Sequence, residues 1–121
     1  MPRFVVLQHD RPDGSRHWDF MLEKGAGLGT WALVQAPDSQ CPIVAQALAE
    51  HRLAYLDYEG PISGGRGTVT RWDAGTYELR QDQPDKLVAA LVGRRLAGVV
   101  ILQRSPDDPN LWTFRWAQEV R

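Results

Sequence analysis

The sequence predicts an all-β protein, a small antiparallel β-barrel with at most one short helix, built over residues 1–121 as a single domain. Three observations carry this. Short apolar or alternating segments recur along the chain, and Gly-, Pro- and Asp-rich turns separate them. At 121 residues the chain is long enough to bury a core without disulfide or metal staples. Closing the sheet into a barrel would also remove the exposed edges that so many strands otherwise leave.

The elements follow in order. Phe4-Val5-Val6-Leu7 marks a first strand over residues 3–9, Arg11-Pro12-Asp13-Gly14-Ser15 a hairpin turn, and residues 17–24 a second strand pairing antiparallel with the first. Lys24-Gly25-Ala26-Gly27 turns the chain into a third strand, Leu28 to Val34, and Pro37, Asp38, Ser39 and Pro42 make a loop of residues 35–42. Ile43 to Glu50 has helical propensity and also fits a strand, so both remain open. His51 to Tyr58 comes next, then a glycine-rich loop from Glu59 to Gly67, then a strand from Thr68 to Trp72. Asp73-Ala74-Gly75 reads as a turn into a strand from Thr76 to Arg80, and Gln83-Pro84-Asp85-Lys86 as the start of one short helical turn. Closing strands fall near 87–93, 97–104 and 111–117. Trp18, Trp31, Trp72, Trp112 and Trp116 all lie in strand-like segments, which assigns them to the core, although an exposed one would suit stacking on a base.

Composition limits the function classes. With 14 basic and 15 acidic residues the net charge is −1, which argues against a uniformly basic, non-specific nucleic-acid binder. The charge is uneven, −3 over residues 1–60 and +2 over 61–121, and only Lys24 and Lys86 of the cations are lysines. Arginine suits bidentate phosphate contacts; genomic base composition gives the same bias. Cys41 stands alone and has no sign of a nucleophile's partners, so a reducing compartment is expected. Met1-Pro2-Arg3-Phe4 lacks a secretory signal and no apolar run approaches the roughly 20 residues of a membrane span. The expectation is a cytoplasmic protein with no membrane partner.

The chemistry concentrates between His9 and Glu23. On a strand, His17, Asp19, Met21 and Glu23 share one face while Trp18, Phe20 and Leu22 share the other. The hairpin sets His9 beside His17 on the neighbouring strand. Two imidazoles and one carboxylate suit a divalent transition metal; the same residues also fit ordinary structural histidines with a solvated aspartate.

Four stretches, taken together and in order, resemble a known family. They are Phe4-Val5-Val6-Leu7-Gln8-His9-Asp10, then His17-Trp18-Asp19-Phe20-Met21-Leu22-Glu23, then His51 through Gly60, and Gly67 through Tyr77. They resemble the 3′-phosphoesterase domain at the N-terminus of bacterial DNA ligase D and its stand-alone relatives, over essentially the whole chain. The resemblance implies a small β-barrel that uses manganese or a similar divalent metal to trim DNA 3′ ends bearing a phosphate or ribonucleotides, alongside end-joining repair proteins. It further implies His9, His17 and Asp19 as the metal ligands, with His51 and Tyr55 as catalytic groups at the scissile phosphate.

The chain also departs from the family's pattern. The loop between the two metal histidines is two residues longer, which a hairpin tip tolerates. Cationic or acidic phosphate-site positions of the family fall on Met21, Gln35, Ile43 and Ala49, so the metal set is kept while the phosphate clamp is not. Arg16, Arg52 and Arg66 are the candidate replacements. Arg16 and Arg52 alternate away from the neighbouring histidines, which makes Arg66 the preferred one, with Arg52 a second phosphate-binding candidate. The Ser63–Gly67 backbone is either an anion-binding nest or a plain flexible connection. Asp57 and Glu59 read as a solvated strand end or as groups orienting a histidine. An inactive descendant serving as a nucleic-acid-binding or protein-interaction module is the alternative to the enzyme.

Overall fold

The strand signals pair into one antiparallel sheet. A computed structural model describes residues 1–118. Its strands are β1 (Arg3–Asp10), β2 (Arg16–Lys24), β3 (Gly27–Leu33), β4 (Ile43–Arg52), β5 (Gly60–Pro61), β6 (Thr68–Gln83), β7 (Lys86–Gly93), β8 (Ala97–Arg104) and β9 (Leu111–Gln118). A single 3₁₀ turn, Leu53–Leu56, follows β4. The spatial order is β1-β2-β3-β4-β9-β8-β7-β6-β5, and β1 also pairs with β6. That last pairing closes every strand but β5 into a ring, leaving β5 as a short addition at β6.

Burial patterns show which faces the ring turns inward. On β7 and β8 every second residue is buried, the mark of a strand with one face on the core and one on solvent. Phe4, Val6, Phe20, Leu22, Trp31, Leu33, Tyr77, Leu91, Val100, Leu102 and Phe114 belong to that interior cluster, and Trp18, Trp72 and Trp116 pack against it. The centre of β2 is different, being buried without interruption from Asp19 to Leu22. Its outward residue Met21 joins Val5, Leu7, Leu28, Leu56 and Val69 in a second cluster, with Tyr55 and Ile62 packed against it. The segment after β4 therefore folds back over the outer face of β1 and β2. At about 1.5–3 kcal/mol for each fully buried large apolar side chain, Leu28 and Leu56 hold that cover in place.

Several expectations are settled here, two of them as corrections. Ile43 to Glu50 is strand, because Ile43 and Ala45 bury alternately and β3 and β9 pair with it on either side. Asp73-Ala74-Gly75 does not turn. It lies inside the long strand β6, where a register shift at Trp72 absorbs the irregularity against β1. The buried Asp73 carboxylate accepts the N–H groups of Ala74 (2.9 Å), Arg94 (2.9 Å), Arg95 (3.2 Å) and Leu96 (2.8 Å), tying the β7–β8 turn to mid-strand. Gln83 to Lys86 is likewise no helical start: Gln83 and Lys86 pair directly, and Pro84-Asp85 form a tight hairpin turn. No helix among the described residues is long and apolar enough to cross a membrane.

Candidate metal centre and its cavity

The hairpin between β1 and β2 ends on the pair Asp10↔Arg16, with His9↔His17 one rung in and Leu7↔Asp19 two further. Arg11 N–H bonds the Ser15 carbonyl (2.9 Å), Gly14 adopts φ +86°, and Asp13 accepts from Ser15 N–H (2.8 Å) and its hydroxyl (2.6 Å). Those hydroxyl and amide bonds hold the Asp13 carboxyl below the usual carboxylate range. Across the mouth of the turn, Arg16 donates to Asp10 at 2.5 Å and lowers its carboxyl likewise. Arg16 is thus held at the hairpin by Asp10 and does not line the cavity described below.

On the outer face the trio converges. His9 Nδ1 lies 3.1 Å from His17 Nε2, which lies 2.9 Å from Asp19 Oδ1, and one ligand atom from each residue falls within 4.8 Å of the others. Asp19 is 4% exposed, yet its Oδ1 receives no hydrogen bond, because the approach of the imidazole lacks the geometry of one. A buried carboxylate oxygen 2.9 Å from an imidazole nitrogen but without a hydrogen bond is unusual for a finished hydrogen-bond network. It is the arrangement expected of ligands around a cation. The other nitrogen of His9, Nε2, bonds the Arg66 carbonyl at 2.8 Å. A carbonyl only accepts, so Nε2 carries a proton, and the tautomer with that single proton turns the Nδ1 lone pair toward His17 and Asp19. Such an outer partner commonly orients metal-binding imidazoles. His17 Nδ1 is buried without a partner.

The loop that supplies the Arg66 carbonyl comes close because of a glycine. Gly67 has φ +102°, and a Cβ there would lie 2.1 Å from the Asp10 carbonyl oxygen. Arg66 itself donates through Nε to the Ser63 carbonyl at 2.8 Å. With Leu7, His9, Asp19, Met21, His51, Tyr55, Ile62 and Val69 it lines a cavity of about 110 Å³. His51 Nδ1 donates to the Ala49 carbonyl at 2.8 Å, which leaves its Nε2 as the free lone pair, and its ring meets Tyr55 edge-on at 5.8 Å.

The structure thus brings His9, Asp19, His51, Tyr55 and Arg66 to one cavity, with His17 joined to it through His9 and Asp19. Arg52 is not there. It alternates to the far side of Tyr55, where it lines a neighbouring hollow of about 240 Å³ with Tyr58 and Ser63. Met21, at the cavity wall, is 1% exposed and packed in the outer apolar cluster. Ile43 faces the ring interior, while Val44 is the residue that lines a groove beside His17. Gln35 is exposed beyond β3. Asp57 pairs with Arg3 at 2.7 Å, which lowers its carboxyl, and Glu59 accepts the Arg71 amide at 2.8 Å, so both brace the covering segment instead of a histidine. The Arg66 carbonyl as partner of His9 was missed in the sequence, since a main-chain group leaves no residue-type signal.

A family model described as the DNA Ligase D 3′-phosphoesterase domain matches residues 7–104. The chain belongs to this family. Among curated proteins, the phosphoesterase-family chain is 33% identical over 116 residues to the multifunctional non-homologous end joining protein LigD of Mycobacterium bovis, covering 87% of this chain and 15% of that protein. It is 35% identical over 107 residues to the multifunctional non-homologous end joining protein LigD of Pseudomonas aeruginosa, covering 79% of this chain and 12% of that protein. The family member described here therefore spans a small part of the length of these relatives.

Proposed function

We propose that residues 1–121 act as one unit, a divalent-metal-dependent phosphoesterase that processes 3′-phosphate or 3′-ribonucleotide ends of DNA in repair. One observation carries the reading: in a chain of this family, the His9/His17/Asp19 trio opens onto the same cavity as His51, Tyr55 and Arg66. His9, His17 and Asp19 would hold the metal, with Mn²⁺ the first candidate. When bound, such an ion supplies charge neutralisation at the phosphoryl oxygens. The remaining work falls to the chain's own groups. His51, with Nδ1 on the Ala49 carbonyl, presents Nε2 to accept or relay a proton at the scissile ester, and Tyr55, edge-on to it, offers a phenolic donor to the leaving oxygen. Arg66 sets a cation at the cavity rim for the non-bridging oxygens, and Arg52 serves the strand where it leaves through the adjoining hollow. DNA 3′ ends are the proposed partner, with end-joining repair proteins acting beside it.

The burial of Met21 favours a second reading, a module that binds nucleic acid without hydrolysing it. An apolar side chain sits where the family places a phosphate cation. A hydrolysis assay on DNA carrying 3′-phosphate or 3′-ribonucleotide ends, run with Mn²⁺ and with EDTA, separates the two. We expect metal-dependent release that Asp19→Ala abolishes while the protein stays folded. If no divalent ion supports hydrolysis by the folded wild-type chain, the enzyme reading falls.

A further inference from the structure

β6 carries β1 on one edge as far as Thr76, but its other edge is only partly covered. β5 pairs there at Thr68 and Val69, and β7 begins to pair at Gly75. The ladder is therefore interrupted from Thr70 to Ala74. A cavity of about 440 Å³ fills the interruption, lined by Arg71, Trp72, Asp73, Ala74, Arg94 and Arg95.

Three of those six residues are arginines, in a chain whose net charge is −1. The Arg95 guanidinium lies over the Trp72 ring, 4.6 Å from its centroid, which fixes a cation on an aromatic platform. The acid among them, Asp73, is buried and engaged by four main-chain N–H groups. Arg71 is braced, donating to the Leu56 carbonyl at 3.4 Å, with Asp57 near enough to feel its charge. Among the described residues neither Arg94 nor Arg95 forms an ion pair with a carboxylate. Two cations, one stacked on tryptophan, thus line the cleft with no carboxylate in ion-pair contact, the Asp73 oxygens being taken up by main-chain amides. Arg71 stands opposite Leu7 on β1, and Val69 opposite His9, so the cleft begins one two-residue strand step, about 7 Å, from the metal trio.

We propose that this cleft is a second binding surface for the sugar-phosphate backbone of the nucleic-acid strand whose 3′ end enters the His9/Asp19 cavity. Guanidinium forks match phosphodiester oxygens bidentately, and an arginine–tryptophan platform accepts a base face without reading sequence. The proposal deepens the phosphoesterase reading by stating how a substrate longer than its reacting end is held, and it rests on that reading only for the direction of the strand.

The test measures binding in EDTA, where hydrolysis does not interfere. Fluorescence anisotropy follows a labelled DNA single strand long enough to cover both sites, as a function of salt, together with a labelled dinucleotide that reaches only the cavity. The Arg94→Ala/Arg95→Ala variant should bind the long strand about tenfold or more weakly, with the slope of log K against log salt smaller by about 1.4, for two lost phosphate contacts at about 0.7 each. Its dinucleotide binding should not change. Arg115→Ala, on β9 and outside the cleft, should match the wild type in both. Because Asp73 bonds the main-chain amides of residues 94 and 95, the alanine variant should keep its melting temperature, and Arg95→Lys provides a milder second variant. Unchanged affinity and slope for the long strand overturn the proposal. So does full displacement of the strand by inorganic phosphate with equal losses for strand and dinucleotide, which would indicate a single-phosphate site. A wild-type chain that hydrolyses no 3′ end, together with an alanine variant that loses the strand, would sink the phosphoesterase reading and leave the cleft standing.

Discussion

Arg66 reaches the site twice, by its carbonyl to His9 and by its side chain at the cavity wall. The two contributions separate experimentally. Arg66→Ala keeps the carbonyl, so hydrolysis should fall about 10²-fold while Mn²⁺ affinity by calorimetry stays near the wild-type value. Gly67→Ala does the reverse. A methyl group 2.1 Å from the Asp10 carbonyl must push the loop off β1, withdraw the acceptor from His9 and lower metal affinity about 10–100-fold. Equal metal affinity in both variants would show that the Arg66 carbonyl does not orient His9. The trio of His9, His17 and Asp19 was legible in the sequence because it needs only period-two alternation and one short hairpin. The parity of Ile43 was not, because which of Ile43 and Val44 faces outward is fixed only when β4 pairs with β3 and β9. Nor was the capture of Arg16 by Asp10, which depends on the rotamers of two exposed side chains.

Among the elements, β6 is where sequence and structure part. Asp73-Ala74-Gly75 carries the residues of a turn, yet the aspartate serves as a distant acceptor for the β7–β8 turn while Gly75 lets the Val92 carbonyl pass, a Cβ there falling 1.9 Å from that oxygen. Turn composition is a local signal, and here the cause is a contact with residues some twenty positions later. Asp73→Ala should therefore cost about 3 kcal/mol, since it leaves several buried N–H groups without an acceptor, and lower the melting temperature by roughly 10 °C. Asp73→Asn, retaining one oxygen, should lose less. A loss below about 1 kcal/mol for the alanine variant would show that the turn is held by its strands alone. The three closing strands were readable within a residue or so of their ends, because each alternates against one core face, whereas β4 stayed open between helix and strand and β5 lay in a stretch that reads as loop. The cover over β1 and β2 was not readable, because Leu56 and Ile62 take their places only once the ring exists.

For the whole molecule, the ring is fastened near β1 by Tyr77. Its amide bonds the Pro2 carbonyl (3.0 Å) and its hydroxyl donates to the Glu23 carbonyl (2.6 Å). Burial, with Glu23 and Asp82 adding to it, pushes the phenol above its usual value near 10. Because the folded pKa is raised, this contribution to stability is fully present below the unfolded pKa and is lost as pH rises through the folded one. Melting temperature should thus decline above about pH 10 in the wild type, and Tyr77→Phe should start lower and flatten that limb. An identical alkaline slope in the two proteins would rule Tyr77 out as its source. On the acid side the depressed carboxyls of Asp10, Asp13 and Asp57 act in the opposite sense, contributing above about pH 4 and fading as pH falls through their folded values. Asp13 and Asp57 are exposed and Asp10 is open to solvent over part of its side chain, so solvent screens them and that limb should be shallow. The same ring also sets an order of events. His9 and His17 are eight residues apart in the chain, whereas His9 and Arg66 are 57 apart. Loop-closure entropy separates the two contacts by about 2 kcal/mol. A chain emerging from synthesis can bring its two imidazoles together as soon as the first hairpin exists, and meets the loop that aligns them only after the seam between β1 and β6 has closed.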